Sequence, residues 1–313
     1  MDQLLDIFRA LADPTRLRIF ALLRTMELSV GELAQVLGQS QPRVSRHVRI
    51  LADAGLTVRR REGSWVFLAL ADAPSLAPLF AAIDGMAGGD WATEDAARLE
   101  AVRADRAAAA ARYFEAHADQ WDAIRSLHVP ESRVEAAMAA LLADAPVGRL
   151  VDLGTGTGRM LEVFGVAATR ALGVDRSPEM LRLARAKLAA TLPAAELRQG
   201  DLTALPLGEA IADTVILHQV LHFLAQPGAA IAEAARLLAA GGRMLIVDFA
   251  PHDREELRSR DAHARLGFSD DQIAGWLSAS GLVLARSDEL QGGALTVKLW
   301  LGERPGRIRE QAA

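Results

Sequence analysis

The residues best suited to hold a ligand form a glycine-rich loop. Residues 152–158 read Asp-Leu-Gly-Thr-Gly-Thr-Gly, after an apolar run short enough for one buried strand and before a helical pattern. Glycine at alternate positions lets a ligand lie directly on the backbone, because a Cβ atom would block its approach. The following helix has unsatisfied N–H groups at its start. The loop predicts a nucleotide-type ligand, although an ordinary strand-to-helix turn can show the same pattern.

Further side chains follow the next predicted strands at positions that suit a nucleoside. Asp175 ends a strand roughly twenty residues after the loop, where a carboxylate can accept hydrogen bonds from both ribose hydroxyls. Asp201 follows the third strand, where a carboxylate can accept a hydrogen bond from an adenine amino group. Met180 is placed to lie against the adenine ring. Asp152 has two possible roles, because it can take a charged amine or order the loop.

Alternating strands and helices must position these residues. The chain from residue 148 onward predicts a Rossmann-like, doubly wound and mainly parallel sheet of seven strands, with helices on both faces and the ligand at the carboxyl ends. Strands are expected near 150–153, 171–174, 196–198, 214–217, 243–248, 282–286 and 294–300. Helices are expected near 160–166, 178–190, 229–238 and 270–279.

These features resemble the class I S-adenosylmethionine-dependent methyltransferases over about residues 110–302. The glycine loop alone also fits NAD enzymes, but its combination with residues 200–202, 218–222 and 241–243 is more specific. The resemblance implies that S-adenosylhomocysteine or S-adenosylmethionine is bound, against the alternative of a degenerate, empty sheet. The implied contacts are Asp152, Gly154, Thr155, Gly156, Gly158, Asp175, Arg176, Met180, Gly200, Asp201, Leu202 and His218. Residues 113–122 resemble the helix that closes over the cofactor, and this adds Tyr113 and Trp121 as contacts, although such aromatic residues also occur in cores.

Catalysis needs more than cofactor binding. Methyl transfer to a hydroxyl or a carbon acid requires an acceptor pocket and a base of suitable pKa. His218, His222 and His252 are the candidate bases, but the sequence assigns no catalytic residue. The spacing of His218 and His222 also suits two metal ligands on a helix, yet no third ligand is apparent, and lining of the cofactor pocket is the preferred interpretation.

The amino-terminal region predicts a helix-turn-helix followed by a β-hairpin. Apolar residues recur at helical spacing between Leu4 and Leu23, with an interruption at residues 13–15. A third helix is expected over Val30–Leu37 and a fourth after Ser40, ending at residues 54–55. Residues 56–61 and 65–70 then form the hairpin around a turn at residues 62–64.

An exposed face on the fourth helix predicts DNA binding. Its apolar stripe leaves polar and basic side chains outward, and such side chains can read base edges or bind phosphates in a major groove. The hairpin has basic residues near its tip and could contact a flanking minor groove or the backbone. The candidate DNA contacts are Gln41, Arg43, Ser45, Arg46, His47, Arg59, Arg60 and Arg61. A solvated surface or a protein contact is the alternative.

Residues 10–19, 31–34, 40–48 and the arginine-rich hairpin resemble the winged helix of the arsenic-repressor (ArsR) family. This resemblance covers roughly residues 1–85 and implies a homodimeric repressor of palindromic operators. Residues 76–83 would then form a second dimer element. Residues 28–33 contain serine and glycine where the thiolate sensors of the family have cysteines, so metal sensing there is not expected.

Composition restricts the possible functions. The 313-residue chain is 51% hydrophobic and 24% charged, which suits a globular protein of two domains. It has no cysteine, and this excludes disulfides, thiolate metal sites and cysteine nucleophiles. The net charge of −5 argues against non-specific coating of nucleic acid, although six arginines cluster locally between residues 41 and 61. Neither a signal peptide nor a membrane span is evident, so a cytoplasmic protein is expected.

Four segments are expected: a DNA-binding and dimerisation domain over 1–88, a helical connector and cofactor cap over 89–145, a methyltransferase-like domain over 146–302 and a disordered tail over 303–313. The leading hypothesis is a transcriptional regulator, with repression as its expected action, that senses S-adenosylhomocysteine or S-adenosylmethionine and controls methionine-cycle genes. The rival hypothesis is an active small-molecule methyltransferase with a regulatory DNA-binding domain. A plain metal sensor is the third.

Overall fold

The chain folds into two compact units, Met1–Ala108 and Ala109–Ala313. The computed structural model describes residues 2–62, 65–71, 76–86, 90–117, 129–292 and 294–306. Among these residues, the helices lack any stretch long and apolar enough to cross a membrane. The boundary between the units lies later than the boundary expected near residue 88.

Local capping signals fix the helices of the first unit. Asp13 accepts a hydrogen bond from the Arg16 backbone N–H at 3.0 Å, and Pro14 occupies the first turn of the second helix. Ser29 and Glu32 form a reciprocal capping box at the start of the third helix. The helices are α1 (Asp2–Leu11), α2 (Pro14–Thr25), α3 (Val30–Leu37), α4 (Gln41–Asp53), α5 (Ala77–Met86) and α6 (Asp90–His117). The predicted helix-turn-helix is therefore confirmed.

The hairpin forms as expected but has a third strand beside it. Strands β2 (Thr57–Glu62) and β3 (Trp65–Leu70) pair antiparallel, and the turn residues 63–64 lie outside the described residues. Strand β1 (Leu28–Ser29) pairs with the other edge of β3. The sequence analysis missed β1 because two residues are too few to show alternation.

The first part of α6 packs against the helix-turn-helix. Arg18 on α2 donates to Asp95 through two guanidinium nitrogens, with a distance of 2.7 Å from Nε to Oδ2. The Asp95 side chain is only 4% exposed. Arg98 donates to the carbonyl oxygen of Val36 at 3.2 Å. These contacts explain why α6 begins within the first unit, whereas sequence composition placed it in the connector.

The second unit contains the expected seven-stranded, mainly parallel sheet. Its spatial order is β6-β5-β4-β7-β8-β10-β9, and β10 runs antiparallel to both of its neighbours. The order reverses at β4, so the carboxyl ends of β4, β5 and β7 open beside a topological switch point. The strands are β4 (Gly148–Leu153), β5 (Ala168–Asp175), β6 (Glu196–Gln199), β7 (Ala212–His218), β8 (Leu238–Phe249), β9 (Val283–Gln291) and β10 (Thr296–Glu303).

Helices bury both faces of this sheet, as the nearly continuous apolar strands require. The helices are α7 (Glu131–Leu142), α8 (Arg159–Phe164), α9 (Pro178–Thr191), α10 (Pro227–Leu237), α11 (Glu256–Arg260) and α12 (Asp270–Ala279). Apolar side chains of α7 and α8, with Leu188 of α9, cover one face, and those of α10 and α12 cover the other. The five-residue α11 was not expected. Of the expected disordered tail, residues 307–313 lie outside the described residues.

Candidate functional site

The glycine loop connects β4 to α8 and has the backbone conformation that requires glycine. Gly154, Gly156 and Gly158 all have positive φ, at 77°, 52° and 84°. A Cβ atom on Gly154 would overlap the side chain of Val220, which follows β7. The N–H of Gly154 donates to the Val174 carbonyl oxygen at 2.8 Å, which holds the loop against β5. The loop is therefore held in one conformation that only glycine adopts easily at these three positions.

Asp152 orders the glycine loop through a hydrogen bond with Thr155. Its carboxylate is 1% exposed, and Oδ2 accepts a hydrogen bond from the Thr155 hydroxyl at 2.6 Å. Of the two roles that the sequence left open, the structure favours this ordering role, because a buried carboxylate has little surface for a ligand amine.

Asp175 lies at the end of β5 beside the loop. Its Oδ2 accepts from the Gly156 N–H and its Oδ1 from the Ser177 N–H, both at 2.8 Å. Burial raises the pKa of Asp175, and these backbone donors oppose the increase. Each carboxylate oxygen has two acceptor sites, so both oxygens keep capacity for a diol. The contact with Gly156 brings the expected ribose acceptor and the glycine loop together.

Asp201 follows β6 and is exposed. Its Oδ1 accepts from the N–H of Thr203 at 2.9 Å and from the Thr203 hydroxyl at 2.7 Å. Burial acts to raise the pKa of Asp201, but the Thr203 hydrogen bonds and the Arg176 guanidinium outweigh it and lower the pKa. Arg176 Nη1 lies 3.9 Å from Asp201 Oδ2, and both side chains are exposed. Gly200 is half-buried and Leu202 is buried.

The position of Met180 differs from the expectation. The Ser177 hydroxyl caps α9 and accepts from the Met180 N–H at 3.3 Å. Met180 is 1% exposed and has almost no surface to offer an adenine ring. Arg176, the residue after β5, is exposed, in contrast to Met180.

His218 ends β7 and pairs with a residue that the sequence analysis did not single out. Its Nε2 lies 3.5 Å from Glu131 Oε1, and the two side chains are 4% and 13% exposed. Glu131 begins α7, which precedes the glycine loop in the chain. Nothing in the spacing of these residues predicted the pair, because the contact joins positions 87 residues apart. Gln219 follows with φ 49°, a left-handed conformation that is strained for a non-glycine residue.

A salt bridge fastens α7 to the exit of the glycine loop. Arg159, directly after Gly158, donates from Nε to Glu135 Oε1 at 2.6 Å and from Nη2 to Glu135 Oε2 at 2.9 Å. Its Nη1 donates to Glu162 at 2.7 Å. The hydrogen bonds that Arg159 donates to Glu135 and Glu162 raise the pKa of its guanidinium. The bidentate geometry fixes α7 relative to the loop.

His222 belongs to a buried cluster beyond β7. Its Nδ1 lies 2.8 Å from Asp248 Oδ1, and its backbone N–H donates to Asp248 Oδ2 at 3.3 Å. The ring centroid of His263 is 4.3 Å from that of His222, and the His252 ring is 6.4 Å from that of His263. Phe249 also packs against the His222 ring.

The metal alternative has no support in this geometry. His218 ends a strand and His222 lies in a short 3₁₀ helix, so the two are not successive residues on one helical face. Across the described parts of the chain, no group of three potential ligands is arranged to hold a metal ion.

Helix α4 presents most of its predicted DNA-contacting side chains to solvent. Val44, Val48 and Leu51 are buried, and this packing sets the opposite face outward. The exposed candidates are Gln41, Arg43, Ser45 and Arg46. His47 differs, because its side chain is 14% exposed and its Nδ1 lies 3.7 Å from Asp13 Oδ1. His47 therefore packs against the start of α2 instead of facing outward.

The remaining predicted contacts are only partly described. Arg59 is exposed on β2, whereas Arg60 and Arg61 lie in that strand with side chains outside the described residues. Tyr113 lies in α6, but its side chain is likewise outside them. Trp121 falls in the segment 118–128, which lies outside the described residues altogether.

Comparisons with known proteins match the two units separately. A methyltransferase domain family matches residues 151–246, and a helix-turn-helix domain family matches residues 11–61. The arsenic resistance transcriptional regulator ArsR2 of Pseudomonas putida is 36% identical over 97 residues, which cover 30% of this chain and 84% of that protein.

The second unit has methyltransferase relatives. The ubiquinone/menaquinone biosynthesis C-methyltransferase UbiE of Syntrophotalea carbinolica is 36% identical over 110 residues, or 34% of this chain. The match spans 46% of that protein, so the chain covers about half of this relative. A chain in the complex between the Haloferax volcanii Trm112 methyltransferase activator and the putative methyltransferase superposes with a TM-score of 0.51 at 24% identity. It covers 61% of this chain and 97% of that one, and shows the fold.

Proposed function

Because the chain belongs to the ArsR family of transcriptional regulators through its first unit and contains a methyltransferase domain in its second, we propose that it is a DNA-binding regulator whose second unit binds S-adenosylhomocysteine or S-adenosylmethionine as its effector. The expected action is repression of methionine-cycle genes, with ligand binding changing the affinity for the operator.

One contrast within the second unit carries this proposal. Asp175 contacts the glycine loop and Asp201 is exposed, and both observations support binding of a nucleoside. The candidate bases are less accessible, because His218 and His222 are 6% and 2% exposed and His252 is only partly exposed. A base must reach the proton that it removes. Candidate bases with so little exposed surface suit sensing better than turnover.

The first unit supplies the surface for DNA. Arg43 and Arg46 are exposed on α4, where they can pair with guanine or phosphate. Helix α1 supports a homodimer, because Leu4, Leu5 and Phe8 are 54%, 47% and 52% exposed and form an apolar surface. A pair of α4 helices related by a two-fold axis fits two half-sites one helical turn apart.

The test is operator binding by the full chain in the presence of each nucleoside. A duplex is first selected from random sequence by the protein, and binding is followed by fluorescence anisotropy at fixed salt. We expect S-adenosylhomocysteine or S-adenosylmethionine to change the affinity by at least roughly fivefold, the lower end of usual allosteric coupling. Affinity that stays constant across physiological concentrations of both nucleosides would contradict the proposal.

The second candidate is an active small-molecule methyltransferase. The His222–Asp248 hydrogen bond favours it, because a carboxylate at Nδ1 fixes the imidazole tautomer and leaves Nε2 able to accept a proton. Multiple turnovers of radiolabelled methyl transfer to a defined acceptor would place this candidate above the sensor.

A further inference from the structure

Helix α6 has residues in both units. It runs from Asp90 to His117, and the two units divide between Ala108 and Ala109. Residues 107–111 are five successive alanines, and alanine has the highest helix propensity, so the sequence favours an unbroken helix at this point. The chain therefore passes from one unit to the other within a helix.

One face of the first part of α6 is fixed to the helix-turn-helix. Asp95, Leu99 and Val102 recur at helical spacing and are all buried. Arg18 of α2 donates two hydrogen bonds to Asp95 in bidentate geometry. Because the Asp95 side chain is only 4% exposed, loss of Arg18 would leave a buried charge without a counterpart. The position of α6 relative to α2 is therefore well defined.

Arg98 joins the same helix to the turn between α3 and α4. Its Nη1 donates to the carbonyl oxygen of Val36 at 3.2 Å, in the last turn of α3, where carbonyl groups have no partner within the helix. The same nitrogen would lie 3.8 Å from a Cβ atom on Gly38, which ends α3 with φ 63°. This turn leads directly into α4, which presents Arg43 and Arg46 to solvent. A displacement of α6 would therefore act on the turn that orients α4.

A helix transmits a displacement along its length, because successive hydrogen bonds hold its backbone, whereas a loop absorbs the displacement in its dihedral angles. We propose that α6 couples the two binding activities. Binding of the effector to the second unit displaces α6, and Asp95 and Arg98 pass this displacement to α2 and to the turn before α4. Both are positioning residues, since neither is a candidate DNA contact. This inference rests on the proposed function, because it specifies how the effector changes operator affinity.

The first test softens α6 where the units divide. The double variant Ala108→Gly/Ala109→Gly weakens the helix, because glycine is a poor helix former in a helix interior. The quantity measured is the coupling factor, by which the more effective of S-adenosylhomocysteine and S-adenosylmethionine changes the operator Kd of the full chain in fluorescence anisotropy. We expect a factor of roughly fivefold or more in wild type and below about twofold in the variant. Affinity for the nucleoside, from titration calorimetry, should stay within about twofold of wild type.

The matched control for the glycine variant is Ala189→Gly/Ala190→Gly. These two alanines are exposed near the end of α9, a helix that lies within the second unit. Their replacement removes the same atoms from another helix, so the coupling factor should stay as in wild type.

The second test removes the contact with the turn. Arg98→Ala should lower the coupling factor at least about threefold and leave nucleoside affinity unchanged, because the α6 displacement no longer reaches Val36. A purely structural role would instead weaken operator binding equally with and without nucleoside and leave the factor unchanged. Arg170→Ala is the control, since Arg170 is exposed near the start of β5 and its replacement removes the same charge.

A wild-type coupling factor in either the glycine variant or Arg98→Ala would overturn the proposal. Loss of nucleoside binding in either variant would also overturn it, because α6 would then serve the ligand site and not the coupling. If neither nucleoside changes operator affinity in wild type, the proposed function itself fails, and this inference fails with it.

Discussion

At the scale of single residues, Asp175 is the proposed ribose contact with the most fixed position. Its two oxygens are held by the N–H groups of Gly156 and Ser177, so its orientation is fixed before a ligand arrives. Burial raises its pKa, so folding favours the neutral acid. The stability that this gives is fully present below the ordinary carboxyl pKa and is lost as pH rises through the raised value.

The affinity for a ligand held by Asp175 should therefore depend on pH in the direction opposite to that of the folding stability. A carboxylate accepts both ribose hydroxyls, whereas the neutral acid has less acceptor capacity. We expect affinity for S-adenosylhomocysteine to fall as pH is lowered through the raised pKa of Asp175. Titration calorimetry at a series of pH values checks this.

Asp175→Asn is the control for that pH series. An amide keeps one oxygen acceptor, so the variant should bind on the order of a hundredfold more weakly at neutral pH, from the loss of charged hydrogen bonds. Its affinity should show a weaker pH dependence than that of wild type. The same slope in both proteins would assign the titration to another group.

At the scale of elements, α4 determines what the first unit can bind. Its buried stripe of Val44, Val48 and Leu51 fixes which side faces solvent. Arg43 and Arg46 are exposed on that side, whereas His47 packs near Asp13. The two arginines are therefore the charged candidates exposed to DNA, and His47 helps to position α4 against α2.

Removal of an arginine from α4 should weaken DNA binding in a way that identifies its contact. If Arg43 binds phosphate, Arg43→Ala should weaken all duplexes alike and reduce the slope of log affinity against log salt by about one. If it reads guanine, the loss should concentrate on one base position and reach about 1–3 kcal/mol.

Salt-dependent anisotropy with operator and scrambled duplexes separates the two cases for Arg43. Arg198→Ala is the control, because Arg198 is exposed on β6 of the second unit and carries the same charge. An Arg43→Ala variant that binds every duplex as tightly as wild type would remove α4 from the DNA interface.

Helix α7 shows how tertiary contacts decide which residues its polar side chains meet. It lies in the segment 89–145 that was expected to be a connector and cap, and Val134 and Met138 are on its buried side. The fold turns Glu131 and Glu135 of the same helix toward His218 and Arg159. A helix from the segment expected to be a connector and cap thus carries polar groups that contact the end of β7 and the start of α8.

At the scale of the whole molecule, the two units have separate cores and carry different chemistry. A ligand that binds only the folded second unit should stabilise that unit by RT ln(1 + [L]/Kd), or about 2.7 kcal/mol at a hundredfold excess over Kd. Differential scanning calorimetry of the full chain should show S-adenosylhomocysteine raising the melting temperature of the transition that belongs to this unit.

Adenosine at the same excess over its own Kd is the matched ligand control for this calorimetry. It should produce a shift of similar size, because the linkage depends only on saturation. A melting profile that S-adenosylhomocysteine leaves unchanged at every concentration would mean that the second unit does not bind it.

The sequence alone determined the elements and most of the fold. Capping residues, glycines and apolar periodicity are local signals, so they predicted the helix-turn-helix, the hairpin and the seven-stranded sheet. Elements without such a signal were missed, as in the two-residue β1 and the five-residue α11. The glycine loop and Asp175 were also predicted, because backbone conformation and strand order fix their positions.

Only the tertiary structure decided which side chains are available to a ligand. Burial of Met180, the inward packing of His47, the Asp152–Thr155 hydrogen bond and the Glu131–His218 pair all depend on what packs against each residue. Some of these contacts join residues that are distant in the chain. Others decide between two possible directions or roles of one side chain. Local periodicity predicts neither. The sequence predicted the type of site, and packing decided which of the predicted side chains are exposed.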